Sequence, residues 1–311
     1  MSAPPISARW PDDHGAHGRV AGVIFAQQLL LGLLVGGLYG LAAAGLSLTF
    51  GVLRVLNVAH GELLMLGGYG SFWLFALWGV DPFLSLAGVA PALFLLGLLL
   101  YWGLFRYVVR AHEELRIKNS LLISFGLTLV FHILAIRLWT ADERSVTTAY
   151  SGAGIKIAGL TVPLIRLSSL VLAFGLLAGL HLFLSRARWG RAIRATAEDW
   201  EAAALMGIPV ERAYLLAFAL GSGLAGVAGG LVSVAYSISP SIGLEWTLKA
   251  LIVIVLSGLG SLFGSFAGGL ILGLAEAGSV VLLGGAYREV VGLGLFLFIL
   301  LVRPQGLFGS R

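Results

Sequence analysis

The chain has 311 residues, of which 59% are hydrophobic and only 11% charged, with a mean hydropathy of +0.97. A soluble domain of this size cannot hide that much apolar surface, so lipid is the solvent for most of the protein. The absence of cysteine excludes disulfides and thiol chemistry, and the net charge of +5 lies in arginines beside apolar runs, not in a nucleic-acid footprint.

Residues 1–19 are polar and contain Pro4, Pro5 and Pro11, which predicts a disordered tail. The apolar run that follows, Val20–Phe50, is too long for the core of a cleavable signal peptide. It reads as one tilted helix or as a span plus a partial helix, and Gly32, Gly36 and Gly40 mark a helix-packing face. A polar break covers Gly51–Glu62. Leu63–Val80 reads as a second span, ended by Asp81-Pro82, and Phe83–Phe105 as a third. Arg106, Arg110, Arg116 and Lys118 place the next loop inside. Asn119–Trp139 is a fourth span. Residues 140–162 form an outer loop with a small hairpin over Ile155–Val162, and Pro163–Ser185 is a fifth span. After the basic loop 186–212, Tyr214–Ala235 is a sixth, and 236–246 an outer loop. Residues 247–301 are too long for one crossing and are interrupted at Gly258–Ser261 and Gly264. Arg303 and Arg311 put the C-terminus inside, with 304–311 as a cytoplasmic tail. Parity then puts the N-terminus outside and requires an odd number of crossings after 246. The expectation is an all-α integral membrane protein with about eight spans, some broken or re-entrant.

Several local patterns carry competing readings. The break Arg54–Glu62 holds Asn57, His60 and Glu62 between two spans. Such groups line a pathway or hinge, or else Arg54 and Glu62 simply pair or lie at the cytoplasmic interface, where they cost little. His60-Gly61-Glu62 lacks the second histidine of a zinc helix, so no metal site is expected. Gly221-Ser-Gly223-Leu-Ala-Gly226 lies inside an apolar run and reads as helix packing, not as a dinucleotide fingerprint. No P-loop occurs, so ATP, if it drives this chain, is bound elsewhere. Glu276 is an acid in an apolar run, either a site or a bundle-facing hydrogen bond. Glu245 and Lys249 are spaced for an i,i+4 pair, and Arg137 and Trp139 for interfacial anchors. A faint repeat, offset by 207 residues, relates Gly51, Gly61 and Leu63 to Gly258, Gly268 and Leu270.

The longest polar interruption of the second half is Arg186–Pro209. Four arginines, at 186, 188, 191 and 194, precede Glu198-Asp199-Trp200-Glu201-Ala202-Ala203-Ala204, and Gly207-Ile208-Pro209 closes the segment. This composition predicts a short, firmly ended cytoplasmic helix over 198–207.

That segment is similar to the coupling loop of ABC importer permeases: Glu201-Ala202-Ala203, three residues, then Gly207. Two further stretches resemble the branched-chain amino acid (Liv-type) branch. One runs from Gly36-Gly37-Leu38-Tyr39-Gly40-Leu41 to Asn57-Val58-Ala59-His60-Gly61-Glu62, and the other is Gly258–Glu276 with Arg303-Pro304. Val58 and Ala44 depart from the usual residues. The resemblance covers roughly residues 24–309 and implies an ABC importer permease fold, with a permease domain over 20–303, in a bacterial inner membrane. It implies no enzyme chemistry and no cofactor in this chain. Two ATPase subunits would bind the ATP, and a second similar permease or a second copy and an external solute-binding protein would complete the assembly. Glu198, Asp199, Glu201, Ala202, Ala203 and Gly207 would couple to the ATPases. Tyr39, Asn57, His60, Glu62 and Glu276 are candidates for the translocation pathway. The cargo stays open between branched-chain amino acids, urea or short amides, and sugars. An ion-gradient-driven transporter is the rival of another class.

Overall fold

The computed structural model describes residues 14–157, 159–258 and 260–308. Among the described residues lie twelve α-helices, a π turn, a 3-10 turn at Gly285–Tyr287 and one hairpin. α1 (His14–Leu53) is a single 40-residue helix, which settles the first apolar run as one element. The expected tail lies outside the described residues up to residue 13, and from His14 the backbone is helical. α2 (His60–Trp78) follows the break, and α3 (Pro82–Leu100) continues through a π turn at Tyr101–Phe105 into α4 (Arg106–Val109). Asp81 caps α3 by accepting the Phe83 amide at 2.9 Å. Pro82 at its first position has no amide to leave unsatisfied. α5 (Glu113–Trp139) leads to the hairpin β1 (Gly154–Ile157) and β2 (Leu160–Pro163), antiparallel with Ile155 opposite Val162, as expected. α6 (Leu164–Arg186), α7 (Arg188–Glu198), α8 (Trp200–Leu205) and α9 (Val210–Ala235) come next, then α10 (Ile242–Ser257), α11 (Leu262–Leu282) and α12 (Arg288–Val302).

Seven helical stretches among the described residues are long and apolar enough to cross a membrane: 22–53, 82–109, 115–139, 164–186, 210–235, 262–282 and 285–302. α2 and α10 fall outside that set. α10 has only 16 residues and begins inside the expected outer loop, and α2 opens on His60-Gly61-Glu62. The seven stretches approximate the expected number, α2 and α10 are two further helices of the bundle, and 247–301 holds most of α10 together with α11 and α12.

Glycine builds the centre. α1 and α11 run antiparallel in close contact: a Cβ on Gly36 would meet Gly269 O at 2.7 Å, and one on Gly40 would meet Phe266 Cα at 2.8 Å. α9 lies in the middle and is mostly buried. Its Gly221 packs on Gly45 of α1, and its Gly226 and Gly229 pack on α2 and α3, so the G-x-G-x-x-G stretch is helix packing. α5 and α12 are peripheral and mostly exposed, as lipid-facing helices are. The faint repeat has a structural counterpart. α1–break–α2 and α10–break–α11 are alike, and Gly51 of the first lies beside Gly260 of the second.

The two ends of the bundle differ. One gathers the arginine-rich loops 106–118 and 186–212: Arg110 pairs with Glu211 at 3.1 Å, and 304–308 docks on the end of α10 through Leu307 N to Leu256 O and Phe308 N to Ser257 O, both 2.9 Å. The stretch read as a tail is thus tied to the bundle as far as Phe308. The opposite end gathers the hairpin, tied to α1 by Gln27 and Thr161. Loop 140–146 is tied there to loop 236–241 by paired backbone bonds between Arg144 and Ile238. This matches the inside–outside division read from arginine placement. Of the two residues expected as interfacial anchors, Trp139 stacks on Tyr69 at 4.2 Å and Arg137 is exposed.

Candidate functional site

Three groups of side chains stand out, two inside the bundle and one at the basic end. The first is the break between α1 and α2. Arg54, at φ +54°, turns the chain back into the bundle. Leu56 N donates to Ser120 Oγ at 3.1 Å, and Asn57 Oδ1 accepts the Ala59 amide at 3.1 Å, which starts α2. His60 then donates from Nε2 to the Ala42 carbonyl at 2.9 Å. Ala42 lies roughly 16 Å along α1 from its Leu53 end, at 1.5 Å per residue. Asn57, His60 and Glu62 are all buried. The break therefore climbs to mid-bundle: Arg54 and Glu62 do not pair among the described residues, and His60 and Glu62 do not rest at the interface. Parity along a sequence counts sides, not depth. Gly61 N donates to Thr247 Oγ1 of α10 at 2.9 Å, and Glu62 lies against Gly243 with both carboxylate oxygens unpartnered among the described residues.

The second group surrounds Glu276 of α11, 1% exposed. Lys249 of α10 donates to Oε1 at 2.5 Å, and Arg288 of α12 donates from Nε to Oε2 at 2.8 Å. Tyr39 of α1 donates to Oε2 at 2.9 Å and accepts from Arg288 Nη2 at 2.7 Å. Trp246 packs edge-on against Tyr39 at 5.3 Å between ring centres. Four helices thus meet at one carboxylate. The simple hydrogen bond weighed for Glu276 gives way to an ion network, and Lys249 pairs with Glu276 rather than with Glu245, which is exposed. Breaking such a pair by removing one partner costs about 3–5 kcal/mol when it is buried in protein. Beside the network, Arg166 of α6 lies over the Tyr236 ring at 5.0 Å. Burial pushes the Tyr236 phenol up, while Arg166 and Arg288 pull it the other way. Lys249, Arg166 and Arg288 are the members that sequence reasoning missed. They come from separate helices, so no spacing connects them.

The third group is the loop at the basic end. The expected single helix over 198–207 is two elements: Glu198 ends α7, and Asp199 breaks the chain and caps α8 by accepting the amides of Glu201 at 2.9 Å and Ala202 at 3.0 Å. Gly207, at φ +80°, ends α8, with its own amide bonded to Ala204 O and that of Ile208 to Ala203 O. Glu198, Asp199, Glu201 and Ala202 are exposed, and Ala203 is buried against the bundle. At the tip Leu205 and Met206 are 89% and 83% exposed. Two large apolar side chains on a rigid, capped knob form a surface without an intramolecular partner.

These features define a multi-pass membrane protein with polar groups in its centre and an exposed apolar knob at its basic end, the class to which transport permeases belong. The chain belongs to the family described as "Branched-chain amino acid transport system / permease component", whose pattern matches residues 28–300. It is similar to the high-affinity branched-chain amino acid transport system permease protein BraD of Pseudomonas aeruginosa: 35% identical over 300 residues, 92% of this chain and 96% of the relative. LivH of Salmonella typhimurium is 32% identical over 295 residues, with the same shares. A probable LivH of Methanocaldococcus jannaschii is 31% identical over 292 residues, 89% of this chain and 90% of the relative. No solved structure matches. The protein is thus a permease component of a transport system.

Proposed function

We propose that this chain is the permease subunit of a bacterial inner-membrane importer for branched-chain or other hydrophobic amino acids, driven by ATP hydrolysis in two partner ATPases. A second, similar permease or a second copy and an external solute-binding protein complete the machine. The observation that carries this is the match along nearly the whole chain to relatives named for branched-chain amino acid transport. The α8 knob supports the drive: a helix fixed at both ends, by Asp199 and Gly207, transmits a push without fraying. ATPase closure carries Glu198–Gly207, α7 and α9 follow, and the central helices switch the pathway from one side to the other. Tyr39, Asn57, His60, Glu62 and Glu276 line that pathway in this reading, because they are the polar groups held at its depth. No covalent step takes place in the chain.

A sugar cargo is the second reading, favoured by 37% identity over 120 residues, 36% of this chain, to the xylose transport system permease protein XylH of Haemophilus influenzae. Purification of the tagged chain with its co-expressed partners, followed by uptake into proteoliposomes, decides between them. ATP-dependent uptake of leucine, isoleucine or valine is the expected result. Uptake of xylose alone overturns the cargo, and uptake driven by an ion gradient without ATPase subunits overturns the drive.

A further inference from the structure

The ion network is not balanced. Lys249 and Arg288 share the single carboxylate of Glu276, which leaves one positive charge in excess at a membrane-embedded site. Arg166 adds a second positive charge nearby and has no carboxylate at salt-bridge distance among the described residues. Unbalanced charge near lipid is expensive, and an arriving anion relieves it. There is room for one. A cavity of about 130 Å³ lies between Arg166 and Arg288, with Leu31, Val35 and Val280 among its walls and Glu276 at its side. It shares Arg166, Tyr236 and Leu31 with a groove of about 510 Å³ beneath the hairpin, at the end opposite the arginine-rich loops. Arg288 spends Nε on Glu276 and Nη2 on Tyr39, and its Nη1 has no partner among the described residues. Two guanidinium groups facing an apolar-walled cavity, open toward the outer end, fit a small carboxylate carrying a hydrocarbon chain.

We infer that Arg166 and Arg288 form a receiving station for the carboxylate of the transported amino acid, with its hydrocarbon side chain against Leu31, Val35 and Val280. The proposal rests on the amino-acid reading given above. Lys249 and Glu276 are positioning residues: they hold Arg288 and keep the excess charge positive. Tyr236, stacked under Arg166, separates the outer groove from the cavity.

The absence of cysteine from this chain makes the test direct. Gln28, on the cavity wall, is replaced in the complete transporter (Gln28→Cys), and modification of its peptide is followed by mass spectrometry. The probes are the anionic sulfonatoethyl and the cationic trimethylammonioethyl methanethiosulfonates. Each rate is taken relative to that of the same reagent with a free thiol in solution; on that scale the anionic reagent is expected to react faster, and Arg166→Gln or Arg288→Gln to reduce that preference. Leucine and isovalerate are expected to slow labelling, whereas leucinamide, which lacks the carboxylate, does not. Arg166→Gln is also expected to weaken leucine protection at least about tenfold, the worth of one charged hydrogen bond. It breaks no ion pair, so it remains informative if Arg288→Gln fails to assemble. Equal rates for both reagents, or equal protection by leucinamide, overturn the station. Protection by isovalerate but not leucine overturns the assignment to cargo. Leucine uptake by the same complex is measured separately, so a failure of the amino-acid reading appears there and not in the reagent preference.

Discussion

A Cβ on Gly269 of α11 would sit 2.5 Å from the carbonyl oxygen of Gly36 on α1. The approach is reciprocal, because a Cβ on Gly36 would meet Gly269 O at 2.7 Å. Within lipid there is no hydrophobic drive between helices, so contacts of this kind supply the packing that holds them together. Gly36→Leu and Gly269→Leu are therefore expected to separate α1 from α11 and to abolish a monodisperse peak in detergent size exclusion. Gly278 of α11 has nothing within 4 Å of its Cβ position, so Gly278→Ala serves as the matched control and is expected to behave as wild type. Equal behaviour of Gly36→Leu and the control would remove this contact from the assembly of the bundle.

The α8 knob separates folding from coupling. Leu205 and Met206 are almost fully exposed, so Leu205→Asp and Met206→Asp cost the isolated chain little. Both are expected to leave insertion and thermal stability unchanged and to abolish ATP-driven uptake, as is Glu201→Lys. Asp199→Ala removes the cap bonds to Glu201 and Ala202, worth about 1 kcal/mol. Its expected signature is intermediate, with ATP hydrolysis retained and uptake per ATP reduced. Normal uptake per ATP in all four variants would show that α8 is not the docking surface.

The helices were legible because lipid imposes a length: Pro163–Ser185 coincides with α6 to within a residue at each end, and Asn119–Trp139 ends where α5 ends, although α5 begins earlier, at Glu113. Glu276 was legible as a lone acid in an apolar run, but Lys249 and Arg288 were not, since α10 and α12 bring them to it only in three dimensions. Lys249 was assigned to Glu245 by helical spacing, and tertiary packing overrode that local rule. The split at Asp199 was hidden by alanine-rich sequence on its far side, although Asp before Trp-Glu-Ala is itself a capping signal. The depth of Asn57–Glu62 was not legible, because the reversal at Arg54 depends on a backbone angle that composition does not encode.

At the outer end, Tyr150 donates to Asp81 Oδ2 at 2.6 Å, which links loop 140–153 to the start of α3. Burial and this bond push its phenol up from 10.0 to about 12. A group whose folded value is raised contributes stability that is complete below its unfolded value and lost as pH rises through the folded one. The link is therefore expected to be whole below about pH 10 and to fade toward about pH 12. Protease nicking of the loop, compared between wild type and Tyr150→Phe across that range, reads it. The variant is expected to be nicked faster at neutral pH and to converge with wild type at the alkaline limit. Identical nicking at neutral pH would show that the bond does not hold the loop.

Glu62 tests the central break more sharply than its neighbours. Asn57 and His60 both make bonds that shape the backbone, so replacing either disturbs folding and transport together. The Glu62 side chain makes none among the described residues: its carboxylate is fully buried against Gly243 and has no ionic partner there to lose. Glu62→Gln keeps the shape, so its thermal stability is expected to stay within about 1 kcal/mol of wild type. Uptake is a different matter. A carboxylate kept at mid-bundle without a partner among the described residues is costly, which is the ground for the pathway role proposed for it. Glu62→Gln is expected to lower ATP-driven uptake at least about tenfold with the complex intact. A folded Glu62→Gln complex that transports at the wild-type rate would take Glu62 out of the pathway.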